Sequence, residues 1–106
     1  IFDIAVRKFQ GKINEIERGP VKIPHMGWNT IYNLSSPLFA GVKEGSFVYF
    51  VHSYYAELSR ETIATTDYIL PFSSALKKKN FYGVQYHVEK SAEVGQQILS
   101  NFLKID

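Results

Sequence analysis

The sequence has 106 residues, 45% hydrophobic and 15% aromatic, which suffices for one compact domain, or part of one, with a single core. Twelve basic and ten acidic side chains give a net charge of +2, which argues against nucleic-acid-binding and membrane-surface classes. There is no apolar stretch near the roughly 20 residues of a membrane span, no signal-peptide pattern and no cysteine, so a cytoplasmic protein is expected.

The first half of the chain alternates short apolar segments with turn signals. A strand is expected over residues 4–9, then a turn at 10–12 and a break at Gly19-Pro20. Residues 24–29, Pro-His-Met-Gly-Trp-Asn, are expected to form a loop, and residues 35–42 a short helical turn or a loop. No repeat or linker divides the chain, so a single unit is predicted.

The clearest strand is predicted over residues 46–55. Its continuous run of aromatic and β-branched side chains is typical of a strand buried on both faces of an α/β sheet. Two further strands are expected at 63–68 and 72–75, separated by Leu70-Pro71, and a buried strand at 81–86.

A helix is predicted from Ser91 onward. Ser91 is a suitable N-cap, and Glu93 in the first turn complements the helix dipole. Helical spacing gives two apolar rows, one of Val94, Ile98 and Phe102 and the other of Leu99 and Leu103.

His87 and Glu89 lie two residues apart between the last predicted strand and this helix. If they continued the strand, their side chains would share a face, with Cα atoms roughly 6.6 Å apart. A carboxylate so placed can hold an imidazole in one tautomer, as a general base requires. The alternative is a half-buried histidine bonded to a backbone carbonyl. A base needs a group to deprotonate, and the sequence contains no cysteine.

The motif around this pair resembles a known family. Residues 83–91, Gly-Val-Gln-Tyr-His-Val-Glu-Lys-Ser, are similar to the Gly-x-Gln-Phe-His-Pro-Glu-Lys-Ser signature of the class I glutamine amidotransferases, whose glutaminase uses a Cys-His-Glu triad. Residues 24–29 and residues 50–55, Phe-Val-His-Ser-Tyr-Tyr, resemble elements of one branch, the glutaminase subunit of imidazole glycerol phosphate synthase. The resemblance extends over essentially the whole chain.

The resemblance implies roles for five residues. His87 would be the base that takes the cysteine proton and later protonates ammonia, and Glu89 would orient its imidazole. Val51, Ser53 and Tyr54 would bind the glutamine substrate, through backbone groups. For this second set the alternative is strand core followed by an ordinary turn.

The resemblance also implies a partner surface. Met26, Trp28, Asn29 and Lys90 would face a (β/α)₈ cyclase subunit near the mouth of the ammonia path. Read without the resemblance, the 24–29 segment would be a hydrophobic staple against the core, Met26 above all, and Lys90 a plain surface lysine. Histidines scattered at 25, 52 and 87 without cysteine make a poor zinc pattern, so neither metal nor cofactor is predicted.

Two features depart from the family pattern. The nucleophilic cysteine lies in a strand–helix elbow that would precede Ile1, so the chain is expected to be the C-terminal part of one amidotransferase domain, inactive alone. That domain is a flavodoxin-like, three-layer α/β/α fold with a mixed sheet. Val88 replaces the proline of the signature; valine can occupy the same extended backbone region, so the His87–Glu89 geometry is expected to survive.

The predicted function is that of a glutaminase subunit in histidine biosynthesis, hydrolysing glutamine to glutamate and to ammonia for a cyclase. One alternative is a degenerate amidotransferase that only binds a partner. Another is the glutaminase of a different class I amidotransferase, against which the Pro-His-Met-Gly-Trp-Asn element argues.

Overall fold

The structure is a computed structural model that describes residues 6–8 and 24–105. These residues form short antiparallel strands, two 3-10 turns and one C-terminal helix. The strands are β1 (Val6–Lys8), β2 (His25–Ile31), β3 (Ser46–His52), β4 (Tyr54–Ala56), β5 (Thr62–Tyr68), β6 (Leu70–Lys78) and β7 (Phe81–Val84). The 3-10 turns are Pro37–Phe39 and Val88–Lys90, and the helix is α1 (Ala92–Lys104). The turn and the break predicted before residue 24, and most of the 4–9 strand, lie outside the described residues.

The strands form two sheets that meet at one bridge. β2 and β3 pair alone, in the register Trp28 opposite Tyr49. The larger sheet has the order β1-β4-β6-β5, and β7 pairs with the second half of β6. Reciprocal backbone hydrogen bonds of 2.9 and 2.8 Å between Tyr32 and Thr65 join the end of β2 to β5. The two sheets and the helix therefore enclose one core.

The predicted loop at 24–29 is wrong, because these residues begin β2. Proline and glycine in the segment indicated a loop, but Gly27 is accommodated within the strand at φ +122°. The side chains alternate as a strand requires: His25 is buried, while Met26 and Trp28 face outward. The 24–29 element therefore presents one face to the core and the other to solvent.

The prediction that the 46–55 strand is buried on both faces is also wrong. Val48, Phe50 and His52 point into the core, but Phe47 on the opposite face is 57% exposed. The strand ends at His52, and Ser53 separates it from β4. A continuous apolar run cannot show whether a partner layer covers its second face, and in the described part of the chain that face is open.

The strands predicted at 63–68 and 72–75 are confirmed as β5 and β6. The break between them is at Ile69, whose φ of +69° turns the chain, and not at Leu70-Pro71, which belongs to β6. The short helical element predicted within 35–42 is present as the 3-10 turn, in which Ser36 Oγ accepts a hydrogen bond from Leu38 N.

The core centres on aromatic rings, with Phe50 packed against Phe72 and Tyr86 at centroid distances of 6.0 and 5.9 Å. The predicted helix is confirmed, and it buries the face that carries Gly95, Ile98 and Asn101. The second predicted row, Leu99 and Leu103, is exposed and does not reach the core, and Phe102 of the first row is exposed as well. Across residues 6–8 and 24–105, no helix has the length and apolar character needed to cross a bilayer.

Candidate active site

His87 and Glu89 form a hydrogen-bonded pair at the surface of the described structure. His87 Nδ1 lies 3.0 Å from Glu89 Oε1, and the two side chains are 41% and 65% exposed. Because a carboxylate only accepts, His87 Nδ1 carries the proton of this bond and Nε2 is left as the basic nitrogen. The pair is thus arranged to take a proton at Nε2 while Glu89 stabilises the resulting cation.

This geometry arises differently from the prediction. Strand β7 ends at Val84, its residues Phe81 and Val84 are exposed, and Glu89 belongs to the 3-10 turn Val88–Lys90. The pair therefore meets across one tight turn and not by alternation along a strand. Val88 opens this turn, whereas we expected an extended conformation there. The first position of a 3-10 turn suits proline equally well, so the family's proline and this valine are compatible with one backbone path.

Three backbone hydrogen bonds fix His87. Its N–H donates to Tyr49 O at 2.9 Å, and its carbonyl accepts from Lys90 N at 3.1 Å and from Ser91 Oγ at 2.6 Å. The histidine is thereby held against the edge of β3 opposite β2, although its side chain remains partly exposed. Its position is set by the protein backbone and not by side-chain packing alone.

Ser91 occupies the predicted N-cap position of α1, but its side chain makes no capping bond to the helix. Its fully buried hydroxyl donates to His87 O and accepts from Tyr49 N at 3.0 Å, which joins the 3-10 turn to β3. Gly95 packs on the same turn, because a Cβ there would lie 2.0 Å from Val88 O. Sequence reasoning identified Ser91 but assigned it the wrong hydrogen-bond partner.

The residues predicted to bind substrate lie along the end of β3 and the start of β4. Val51 and Tyr54 have exposed side chains and Ser53 is half-buried between the two strands. Tyr49 N and O point away from β2, toward Ser91 and His87. Because backbone direction repeats every second residue, the N–H and C=O of Val51 point to this same edge. His87 and the backbone of Val51 therefore share one side of β3.

The residues predicted to contact a partner occupy the outward face of β2 and its surroundings. Met26 is 62% exposed and Trp28 53% exposed, so Met26 is not a staple against the core. The Trp28 ring meets the Tyr49 ring edge-on at 5.7 Å, and Lys90 Nζ lies 5.9 Å from the centre of the same ring. Asn29 points inward instead, with Nδ2 2.9 Å from Asp67 O.

A buried histidine pair, which the sequence reasoning considered only as a poor metal site, lies behind this surface. His25 Nδ1 is 2.8 Å from His52 Nε2, and His52 Nδ1 is 2.7 Å from Tyr54 O. His25 also stacks on Tyr68, with ring centroids 3.9 Å apart. The pair follows from the strand register, because pairing β2 with β3 places His25 opposite His52, and the sequence analysis had no signal for that pairing.

Burial lowers the pKa of both imidazoles. The pKa of His25 falls to about 4 because of desolvation and the nearby His52, and that of His52 is lowered by desolvation. In the ranges 6–8 and 24–105, no cluster of three or more histidine, cysteine, aspartate or glutamate side chains is placed to hold a metal ion.

These shifts predict that acid destabilises the fold. Between the unfolded value of 6.5 and about 4, the unfolded chain binds a proton that folded His25 does not, so unfolding becomes more favourable as the pH falls. The expected loss is about 1.4 kcal/mol per pH unit for each such histidine. Denaturant unfolding of the intact protein at pH 7, 6 and 5 measures this loss of stability. The substitution His25→Phe should make the free energy of unfolding depend less steeply on pH. An equal slope in that variant would contradict the assignment.

A cavity of about 610 Å³ lies beside Glu89, between the second 3-10 turn and α1. Its lining residues are Val88, Glu89, Ala92, Glu93, Gly95, Gln96 and Leu99. The Glu89 side of the pair therefore adjoins an open, mainly apolar surface.

Comparison with known proteins identifies relatives over nearly the whole chain. The family model for the class-I glutamine amidotransferases matches residues 2–105. Imidazole glycerol phosphate synthase subunit HisH of Bacteroides fragilis is 53% identical over 105 residues, 99% of this chain and 51% of that protein. The subunit of the same name from Bacteroides thetaiotaomicron is 50% identical with the same coverage, and that from Shewanella oneidensis 61% over 87 residues, 78% of this chain and 39% of that protein. The chain thus spans about half the length of the two Bacteroides relatives and a smaller share of the Shewanella relative.

Proposed function

The chain belongs to the class I glutamine amidotransferase family and forms part of its α/β domain, and we propose that it is the part of a glutaminase that carries the catalytic base. The enzyme would be the glutaminase subunit of imidazole glycerol phosphate synthase, hydrolysing glutamine to glutamate and ammonia. The observation that supports this most directly is the 3.0 Å bond between His87 Nδ1 and Glu89, which leaves Nε2 as the base. The histidine-biosynthesis role rests on similarity to the HisH subunits.

The 106 residues contain no cysteine, and the chain spans about half the length of the HisH subunits that it matches. We place the nucleophilic cysteine of the triad outside these residues, opposite His87 Nε2. The 106 residues alone would then lack glutaminase activity.

The reaction follows from the position of the base. Nε2 of His87 takes the thiol proton, and the thiolate attacks the side-chain amide carbon of glutamine. The protonated imidazole returns that proton to the departing nitrogen, so ammonia leaves and a glutamyl thioester remains. The neutral imidazole then deprotonates water, which cleaves the thioester, and the proton returns to the thiolate as glutamate is released. Glu89 stabilises the imidazolium in both halves.

Val51, Ser53 and Tyr54 are proposed to hold the glutamine. The backbone of Val51 points to the edge of β3 that also carries His87, which supports a role for its N–H or C=O with the substrate's charged groups. The Ser53 hydroxyl and the Tyr54 backbone continue the same segment into β4. This arrangement would bring the substrate amide toward Nε2.

The proposed partner is a (β/α)₈ cyclase that consumes the ammonia. Met26, Trp28 and Lys90 supply an exposed apolar side chain, an indole and a cation, and the last two lie against the Tyr49 ring. This composition suits an interface centre. Asn29 would act at the edge of this surface, since its amide is engaged with Asp67 O. A cytoplasmic location stays a prediction.

The test uses the intact protein that contains this sequence, with and without the cyclase. A diazoketone analogue of glutamine is expected to add once, to a cysteine outside these 106 residues, and glutamate release is expected to require His87. Cyclase binding without any adduct or glutamate release would contradict the enzyme and leave a partner-binding module. Adduct formation without ammonia transfer to the cyclase would point to another class I branch.

A further inference from the structure

Three side chains and two backbone carbonyls form a continuous hydrogen-bonded chain through the core. Asn29 Nδ2 contacts Asp67 O at 2.9 Å and His25 Nε2 at 3.2 Å, His25 Nδ1 contacts His52 Nε2 at 2.8 Å, and His52 Nδ1 contacts Tyr54 O at 2.7 Å. This series of hydrogen bonds starts at Asn29 on β2, directly behind the Trp28 surface, and ends at Tyr54 in the Val51–Tyr54 segment.

The groups at the two ends, the Asn29 amide and the Tyr54 carbonyl, decide which nitrogens of the two imidazoles carry protons. Tyr54 O can only accept, so His52 Nδ1 is the donor, and in a neutral ring its Nε2 is then an acceptor. His25 Nδ1 must therefore donate to His52, which leaves His25 Nε2 to accept from the Asn29 amide. The amide orientation agrees, because Asn29 Oδ1 accepts from Thr30 N at 2.7 Å. The order of donors runs in one direction, from Asn29 to Tyr54.

Protonation of either imidazole would disrupt this series of hydrogen bonds. A proton on His52 Nε2 would face the Nδ1–H of His25, and a proton on His25 Nε2 would face the Asn29 amide hydrogens. Burial opposes the charge as well, since both rings are at most 8% exposed and both pKa values are lowered. Stacking of His25 between Tyr68 and Phe50, at 3.9 and 4.6 Å, holds its ring plane.

We propose that His25 and His52 are positioning residues that fix the Tyr54 carbonyl, and with it the glutamine-binding segment, from the partner-facing strand β2. The inference rests on the proposed function, because it assigns the buried pair a task in glutamine binding. Neither imidazole touches substrate. The consequence is that contact of a partner with the outward face of β2, beside Asn29, and glutamine binding at Tyr54 act on one hydrogen-bonded unit.

The test compares substitutions in the intact complex with the cyclase. His52→Phe keeps an aromatic ring but removes the donor to Tyr54 O, and it is expected to raise KM for glutamine about tenfold while kcat changes less than threefold. His52→Asn keeps a donor at the position of Nδ1 and should restore most of the affinity. Val48→Ala removes buried volume from the same face of β3, and is expected to lower stability without changing KM.

A second measurement does not depend on activity. Nitrogen-15 NMR of the imidazoles should show His25 and His52 neutral and protonated at Nδ1 at pH 7. Protonation of either ring at Nε2, an unchanged KM in His52→Phe, or an equal rise of KM in Val48→Ala would overturn the positioning role. A wild-type complex that does not hydrolyse glutamine would instead overturn the proposed function itself.

Discussion

Replacing His87 by asparagine in the intact protein is expected to lower kcat for glutamine hydrolysis by about a thousandfold, with little change in KM. The substitution removes Nε2, the nitrogen that Glu89 leaves basic by accepting from Nδ1. The backbone bonds from His87 to Tyr49 and Ser91 do not involve the ring, so the local fold should persist. Glutamate release under saturating glutamine, with the cyclase present, is the measurement.

Two companion measurements separate chemistry from folding. Glu93→Gln removes an exposed carboxylate four residues from Glu89 and outside the pair, and should retain normal activity. Ammonium salt supplied directly should sustain the cyclase in complex with the His87→Asn protein, because that route bypasses glutamine hydrolysis. If His87→Asn kept more than a tenth of the wild-type kcat, His87 would not be the base.

Several elements and the contact between His87 and Glu89 were accessible from sequence for a physical reason. Strands β5 and β6 and helix α1 carry strong periodic signals, and the His87–Glu89 motif is short and local. Hydrogen bonds between residues two apart depend little on distant packing. The pair was therefore predicted correctly as a contact even though its backbone is a 3-10 turn and not a strand.

The errors share a different cause, which is contact between distant segments. Residues 24–29 become a strand only because β3, more than twenty residues later, supplies its hydrogen-bond partners. Ser91 was predicted to cap α1 because serine is favoured at helix N-caps, but its hydroxyl bonds to Tyr49 N and His87 O instead of to the helix. The His25–His52 pair depends on the same unpredicted register. Local propensity does not contain this information.

The proposed base His87 and the proposed partner surface are connected through strand β3. Tyr49 bonds to His87 through its carbonyl and to Ser91 through its N–H, while its ring contacts Trp28 and Lys90. A partner that displaced Trp28 would thus act on Tyr49, which holds the backbone of His87. If the proposed roles hold, this is a second physical route from partner binding to catalysis, in addition to the buried histidine pair.

Replacing Trp28 by alanine is expected to weaken binding to the cyclase by about 30-fold or more, since buried tryptophans at interface centres contribute about 2 kcal/mol or more. The ring is 53% exposed in this structure and rests on Tyr49, so its removal should cost the fold little. Isothermal titration of the intact glutaminase with the cyclase measures the change, and thermal unfolding checks that the variant is folded.

Leu103→Ala is the matched control for this experiment. Leu103 is 77% exposed, apolar and on α1, and it is not part of the outward face of β2, so its truncation should leave cyclase affinity within twofold of wild type. A lysine-specific effect can be separated with Lys90→Met, which keeps the alkyl chain beside Tyr49 but removes the charge. If Trp28→Ala and Leu103→Ala bound the cyclase equally well, the outward face of β2 would not be the interface, and the partner would have to dock elsewhere.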